Sequence, residues 1–258
     1  MPEPRRSVAP DEETVQRALS ALFLDNAQLR REDRKKAVEV TALLRQLAPY
    51  LRPQTLLVDA AAGRAPLGLL AQRLVAPCSL VVIDRDAGRI EACRRASADG
   101  PGPVDLRTAD VADPGAWPPA PDVVVALHAC GAASDHVITQ AIRAAARHIF
   151  LVPCCIGSGV VFMPNAEALI RGLPLPRNAA VRNPIRDGFI HAWRTLRLEA
   201  AGYEVTLVPF VAPTVTPYNQ LWRARRVGEP AAMARAAATL ERLEEDSAAA
   251  LKLGEERA

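Results

Sequence analysis

The sequence lacks several features that mark whole classes of protein. It has no uninterrupted apolar run of about eighteen residues, so no segment is predicted to span a membrane. Residues 1–13 carry charges with no apolar stretch behind them, which argues against a secretory signal peptide. Aromatic residues make up only 4% of the chain. We attribute this scarcity to genomic composition, because alanine, arginine and proline are plentiful.

Cysteine is also sparse, and its pattern excludes a secreted disulfide scaffold. The five cysteines are an odd number, two of them are adjacent, and no C-x-x-C pair of the kind that binds zinc is present. We therefore predict a cytoplasmic protein with reduced thiols. With 258 residues, half of them apolar, the chain is long enough to bury a substantial core.

The net charge of +3 hides an uneven distribution. Residues 171–226 contain nine arginines and three acidic residues, whereas the tail from 229 to 258 is acidic. A cationic segment favours a polyanionic partner such as RNA. An arginine-rich, solvated surface would give the same composition, so both interpretations stay open at this point.

Short apolar runs alternate with amphipathic stretches through the middle of the chain. Five of these runs are predicted strands, at residues 55–60, 79–84, 104–110, 122–128 and 148–153. Runs without a polar face suit parallel strands that are buried on both sides and joined by helices. We predict an α/β fold with a doubly wound, mostly parallel, seven-stranded sheet. Its last two strands, in 204–211 and 218–227, are expected to pair antiparallel at the edge.

Helical periodicity flanks this α/β region. The predicted organisation is an N-terminal helical segment at 1–52, the α/β domain at 53–227 and a C-terminal helix at 228–258. Residues 157–186 are rich in glycine, proline and asparagine, and they are predicted to form a long functional loop or cap.

Three predicted strands end in an aspartate. Asp59 leads into a loop of small residues and then a helix, which lets a ligand approach the backbone. Asp84 stands where an acidic side chain accepts hydrogen bonds from a ribose, and Asp110 with Val111 is placed to meet an adenine. Each aspartate alone could cap a helix or a turn. Their recurrence at consecutive strand ends favours a nucleoside site.

A histidine and several thiols follow the fourth and fifth strands. "HACG" supplies His128 and Cys130, and "PCC" supplies Cys154 and Cys155. Because the carboxyl ends of neighbouring parallel strands share one crevice, these side chains are expected to converge. His128 is then a candidate general base, with Asp135 either orienting it or capping the next helix. Zinc binding and a purely structural role for the thiols are the alternatives.

Together these patterns resemble the Rossmann-type S-adenosylmethionine-dependent methyltransferases. More narrowly, "ALHACGAASD" and "VPCC" resemble the methyltransferase family marked by HACG and PCC motifs, which includes tRNA ribose methyltransferases. The resemblance covers about residues 30–226. It implies S-adenosyl-L-methionine as cofactor and an oxygen or nitrogen acceptor. RNA is favoured over a protein or a small molecule by the arginine surplus and by the known members of the family. We predict no metal, because adjacent cysteines chelate one awkwardly.

The resemblance also implies roles for individual residues. His128 and Asp135 would be catalytic, and Cys130, Cys154 and Cys155 would face the substrate. The expected cofactor-binding residues are Asp59, Ala61, Gly63, Asp84, Arg85, Asp110, Val111, Leu127 and His128. Lys36 and Glu39 precede the first strand and are further candidates for the site. The arginines of 182–197 and 223–226 would contact RNA phosphates, and Trp193 or Trp222 would either stack on a base or, as we favour, pack in the core.

One departure from the family pattern concerns the loop after the first strand. The pattern resembles D-x-G-x-G-x-G, whereas this chain has Asp59, Ala61, Gly63 and Ala65. An alanine held at positive φ costs about 1 kcal/mol or more. The departure raises an alternative function, a non-catalytic module that binds S-adenosylmethionine or RNA through a degenerate loop. Cys78 and Cys93 lie elsewhere and are predicted to be structural.

Overall fold

A computed structural model describes residues 9–23, 30–153, 155–157, 159–217 and 219–255. The helices are α1 (Glu12–Phe23), α2 (Arg31–Leu47), α3 (Pro66–Leu74), α4 (Ala87–Ser97), α5 (Ala132–Arg143), α6 (Met163–Gly172), α7 (Ala179–Ala200) and α8 (Pro230–Glu255). The strands are β1 (Leu56–Ala60), β2 (Ser79–Asp84), β3 (Val104–Thr108), β4 (Val123–Leu127), β5 (His148–Val152), β6 (Tyr203–Pro209) and β7 (Gln220–Arg226). None of the described helices is both long and apolar enough to cross a membrane.

The strands form one seven-stranded sheet in the order β3-β2-β1-β4-β5-β7-β6. The first five are parallel, and β7 runs antiparallel to both β5 and β6. This confirms the predicted Rossmann-like methyltransferase fold with its antiparallel edge. The strand order reverses between β1 and β4, which is where ligands bind in open α/β sheets, outside the carboxyl ends of the strands.

Both faces of the sheet are covered, as the continuous apolar runs predicted. Alternate residues of β1 illustrate this, because Leu57 packs in one core and Val58 in the other, and both are fully buried. Helices α1 to α4 cover the Leu57 face, and α5 with α7 covers the Val58 face. The connections therefore leave the sheet on opposite sides, and this opens the crevice at the switch point.

The prediction of a long loop at 157–186 is wrong, because the segment contains α6 and the first turns of α7. Two of its breaker residues stand where helices begin. Pro164 lies at the N-terminus of α6, and the Asn178 side chain caps α7 by accepting a hydrogen bond from the Ala180 N–H at 2.8 Å. Pro184 lies inside α7 on its exposed side.

Helices α6, α7 and α8 form a layer with a small core of its own. Phe162 stacks on Trp193 with ring centroids 5.1 Å apart, and the Trp193 indole N–H donates to Glu244 at 2.9 Å. Trp222 is fully buried in the sheet, where its indole N–H donates to Thr195 at 3.2 Å. Both tryptophans are thus packing residues, and the idea that either stacks on a base is wrong.

A buried ion pair joins the start of α5 to α7. The Arg194 Nε donates to the Asp135 carboxylate at 2.7 Å, and the two side chains are 0% and 2% exposed. The second Asp135 oxygen accepts a hydrogen bond from the Val161 N–H at 2.9 Å. Asp135 therefore ties together α5, α7 and the segment after β5.

Replacing Arg194 by methionine leaves the Asp135 carboxylate buried without its counter-charge. We expect R194M to lower the free energy of unfolding by about 3–5 kcal/mol, measured by urea denaturation. The double variant D135N/R194M should recover part of this loss, because no uncompensated charge remains. R225M, which removes the exposed pair with Glu204, is the control and should leave the unfolding midpoint almost unchanged. A loss in R194M no larger than in R225M would contradict the assigned role.

Candidate functional site

Two adjoining cavities lie at the carboxyl ends of the central strands. Their volumes are about 470 and 410 Å³, within the usual range for small-molecule sites. The larger is lined by residues that follow β2, β3 and β4, among them Asp84, Arg85, Asp110, Val111, Cys130 and His136. The smaller is lined by Lys36, Asp59, Gly63, Arg64, Pro66 and Leu127, among others. Ala61, Arg89 and His128 border both, so the two cavities meet at these residues.

The loop between β1 and α3 is held in an unusual backbone conformation. Ala61, Gly63 and Ala65 have φ values of 53°, 62° and 50°, all in the left-handed region. The two alanines that replace glycines of the family pattern are thus the residues under strain. A Cβ built on Gly63 would meet no atom within 4 Å, so open space faces this residue.

Asp59 anchors the helix that follows this loop. Its carboxylate accepts a hydrogen bond from the Gly68 N–H at 2.9 Å, and a Cβ at position 68 would lie 2.9 Å from the same oxygen. Gly68 is therefore required for the close approach of α3 to β1. Burial raises the pKa of Asp59 from 3.8 to about 7, against the opposing effects of the Gly68 hydrogen bond and of Lys36.

Asp84 lies at the end of β2 and is 4% exposed. Its carboxylate accepts hydrogen bonds from the Gly63 N–H at 2.7 Å and the Asp86 N–H at 3.0 Å. Arg89 lies 3.9 Å from the same group. These contacts orient the carboxylate at the edge of the larger cavity, and each of its oxygens retains a lone pair for a further hydrogen bond.

The residues after β3 line the same cavity. Asp110 is exposed, and its carboxylate accepts a hydrogen bond from the Ala112 N–H at 2.8 Å. The Val111 side chain is buried, and its carbonyl accepts a hydrogen bond from the Trp117 indole at 3.0 Å. This bond fixes the turn, so an apolar side chain and a carboxylate face one cavity from neighbouring positions.

His128 lies between the two cavities in a left-handed conformation, with φ of 65°. Its backbone N–H donates to the Val152 carbonyl at 3.0 Å, which ties the turn after β4 to the end of β5. Its Nε2 lies 2.8 Å from a Glu39 carboxylate oxygen, and the imidazole is 36% exposed while the Glu39 side chain is 6% exposed. Glu39 contacts the ring, whereas Asp135, predicted either to orient His128 or to cap the next helix, bonds instead to Arg194 and to the Val161 N–H.

The predicted thiols have different surroundings. Cys130 lines the larger cavity and is disulfide-bonded, so the expectation of reduced thiols is wrong for this residue. Cys155 is half-buried, and Cys154 lies outside the described residues. Burial raises the pKa of Cys78 to about 11 and that of Cys93 to about 12. Within the described part of the chain, no three histidine, cysteine or acidic side chains are grouped to hold a metal.

Helix α2 supplies two site residues that sequence analysis named without assigning a role. Lys36 borders the smaller cavity, and Glu39, nearly one turn later, contacts His128. Burial lowers the pKa of Lys36, while Asp59 and Glu39 oppose this effect. The signal in the sequence is a glutamate in the apolar stripe of an amphipathic helix, since Val40, like Ala37 and Leu43, is buried on the same helix.

The arginines expected to bind RNA lie in several places. Arg225 pairs in register with His148, the first residue of β5, so the end of β7 lies at the amino end of the parallel strands, away from the crevice. Arg194 is buried, and the Arg197 guanidinium lies 4.5 Å from the centre of the Trp193 ring. A groove of about 490 Å³ lies instead between α2 and the β6–β7 connection. This basic groove is lined by Arg31, Arg34, Lys35, Val38, Thr214 and Val215.

The left-handed alanines allow a direct test of strain in the loop. Glycine at position 61 removes about 1–2 kcal/mol of steric strain and adds about 0.5–1 kcal/mol of backbone entropy to the unfolded chain. We therefore expect A61G to raise the free energy of unfolding by up to about 1 kcal/mol in urea denaturation. A65G also deletes a fully buried methyl group, worth about 0.8 kcal/mol, and should be nearly neutral.

The control for this pair is A238G, in the exposed middle of α8. Glycine there should lower the free energy of unfolding by about 1 kcal/mol, because in a helix glycine loses more backbone entropy on folding than alanine does. A61G and A238G must therefore shift the unfolding midpoint in opposite directions. Equal losses in both would exclude strain at Ala61.

The raised pKa of Asp59 predicts how stability depends on pH. Between pH 3.8 and about 7 the folded chain retains a proton that the unfolded chain has lost, so this group makes folding less favourable as pH rises through that window. D59N keeps an acceptor for Gly68 without the charge. Its stability relative to the wild type should increase from pH 4 to pH 7 and then level off, in urea denaturation at each pH. D99N, at an exposed aspartate, is the matched control, and a D59N difference that stays constant with pH would contradict the assignment.

Comparison with known proteins agrees with this site. Residues 35–158 match the model of a protein family described as a methyltransferase domain. No curated protein sequence matches the chain. Among solved structures, the chain is similar to magnesium protoporphyrin IX methyltransferase from Synechocystis PCC 6803 with bound SAM, at 15% identity and a TM-score of 0.47, covering 85% of this chain and 99% of that one.

Two further solved structures are similar to the chain, and their names state other substrates. The tRNA (uracil-54, C5)-methyltransferase from Pyrococcus abyssi is 13% identical, with a TM-score of 0.43 and coverage of 72% of this chain and 38% of that one. The ribosomal protein L11 methylase from Lactobacillus delbrueckii subsp. bulgaricus is also 13% identical, with a TM-score of 0.42 and coverage of 76% and 80%. The family match covers residues 35–158, just under half of the chain, and this part, which contains the five parallel strands and their crevice, is similar to a methyltransferase domain.

Proposed function

We propose that this protein methylates an oxygen or nitrogen atom of an RNA, with His128 as the general base. The observation that carries the proposal is the position of His128. Its imidazole borders both cavities, is partly exposed to the crevice, and is held by a buried carboxylate. An oxygen or nitrogen acceptor must lose a proton, and a neutral imidazole takes up protons near physiological pH.

The residues of the larger cavity fit the adenosyl part of the cofactor. The Asp84 carboxylate is oriented to accept hydrogen bonds from a ribose diol, as acidic residues at the end of a second strand do. Asp110 is placed to accept from an adenine amino group, Val111 offers an apolar contact, and Arg85 lies at the rim. When bound, S-adenosylmethionine supplies the methyl group as an electrophile.

The residues of the smaller cavity fit the methionine part. The backbone at Gly63 faces open space, which suits close approach of a ligand, and Ala61 lines the same cavity. Lys36 is the cation that we assign to the methionine carboxylate, because it borders this cavity from α2 and is half-buried. Leu127 contributes an apolar wall. The cavities meet at His128, so the base lies beside the junction of the two parts of the cofactor.

RNA is favoured as acceptor by the charge beside the crevice. The basic groove includes Arg31 and Lys35, both exposed, on the helix that also carries Lys36. Thr214 and Val215 form its opposite wall from the β6–β7 connection, which lies at the carboxyl edge of the sheet. A cationic groove at the mouth of an active site binds and positions a phosphate backbone. The resemblance of "HACG" and "PCC" to a family with tRNA methyltransferases points the same way.

Methyl transfer from labelled S-adenosylmethionine to unmodified RNA transcripts tests this function. We expect the wild type to label RNA, and H128A to lower kcat by about 10²- to 10⁴-fold at saturating cofactor, with cofactor binding by the variant checked by calorimetry. R31Q/K35Q should raise KM for RNA and reduce the slope of log affinity against log salt by about two. The control R94Q/R95Q lies at the exposed end of α4 and should change neither quantity.

Each outcome has a separate meaning. Labelling of a protein or a small molecule in place of RNA would overturn the acceptor assignment and leave the base assignment intact. Unchanged kcat in H128A would overturn His128 as the base. An equal effect of R31Q/K35Q and R94Q/R95Q would exclude the groove as the RNA site.

A further inference from the structure

We propose that Glu39 is a positioning residue that fixes the tautomer of His128, so that Nε2 carries the proton and Nδ1 presents its lone pair to the acceptor. The inference rests on the proposed role of His128 as base and adds the group that prepares it. Glu39 lines neither of the two cavities, so it acts through His128 and not by contact with a ligand.

The contact itself is short and isolated. A Glu39 carboxylate oxygen lies 2.8 Å from His128 Nε2, across 89 positions of sequence. Within the described part of the chain, the Glu39 carboxylate has no other hydrogen bond, and His128 Nδ1 has none. Nε2 thus contacts a buried carboxylate, whereas Nδ1 can accept a proton from a ligand.

The positions of Glu39 and His128 both lower the stability of the fold. Glu39 is 5% exposed on the apolar side of α2, where a leucine or methionine would avoid the desolvation of a carboxylate. His128 is held at a φ of 65°, which costs a non-glycine residue about 1–2 kcal/mol. The hydrogen bond thus joins a buried carboxylate to a residue with a strained backbone. Unfavourable features of this kind persist mainly at functional sites.

The chemistry of the two groups determines the tautomer. An ionised carboxylate only accepts hydrogen bonds, so a neutral His128 must carry its hydrogen on Nε2 and its lone pair on Nδ1. When Nδ1 takes the proton of an acceptor O–H or N–H, the ring becomes an imidazolium whose positive charge lies against Glu39. The carboxylate therefore orients the base before the proton moves and stabilises the charge afterwards.

Nitrogen-15 NMR of the free protein tests the proposal without any methyl acceptor. The chain has only four histidines, and H128N identifies the signals of His128. In the wild type, with the ring neutral, we expect the Nε2–H tautomer to predominate. In E39Q the amide either donates or accepts, so the preference should be lost and the Nδ1–H form should appear. E39D keeps the charge and should restore the wild-type tautomer in part.

Thermal unfolding and kinetics complete the design. E39Q should remain folded with donor affinity within about twofold of the wild type. Its kcat for methyl transfer to RNA should fall about 10- to 100-fold, the range found when the partner that orients a metal-bound histidine is removed. E91Q, on the exposed face of α4, is the matched control and should change none of these. Unchanged tautomer populations in E39Q, or a wild-type ring that is mainly Nδ1–H, would overturn the proposal. If the wild type methylates no RNA, the proposed function fails, and the tautomer measurement still decides the role of Glu39.

Discussion

The site depends on the parallel pairing of β1 with β4, two strands far apart in sequence. Leu57, Val58 and Asp59 pair in register with Val123, Val124 and Val125. The connection after β1 leaves toward one face of the sheet, and the connection after β4 leaves toward the other. A crevice must therefore open between them, and the first residues beyond each strand become its walls. Asp59 and His128 both line the smaller cavity for this reason.

Several features that lower stability are concentrated at this crevice. Ala61, Ala65 and His128 are left-handed without being glycine, and Asp59 and Glu39 are buried carboxylates. The sheet and its two apolar cores supply the stability that tolerates these costs. The two buried carboxylates are each held by a specific contact, Asp59 by the Gly68 N–H and Glu39 by His128. These contacts orient both carboxylates within the protein itself, and fixed orientation is what the positioning of reactants requires.

The sequence predicted the elements better than it predicted their side-chain partners. Apolar runs identified the seven strands, and the aspartates at their ends identified the larger cavity, because both signals are local. The helices within 157–186 were missed because proline and asparagine were interpreted as breakers, although here they begin helices or lie on an exposed face. The Glu39–His128 contact spans 89 positions, and no spacing rule encodes it. The location of Arg225 depended on the direction of β7, which composition does not reveal.

Helix α2 links the two halves of the proposed activity. Residues three or four apart share a helix face, so Arg31, Arg34, Lys35 and Val38 lie together along the groove. Lys36 and Glu39 lie on the adjacent face, toward the smaller cavity and His128. Val40 and Leu44 pack α2 into the sheet core. The two faces of this helix therefore keep a fixed position relative to each other and to the sheet. Under the proposed function, an RNA bound in the groove would be held at a fixed distance and orientation from His128, so that binding in the groove would also align the acceptor for proton transfer.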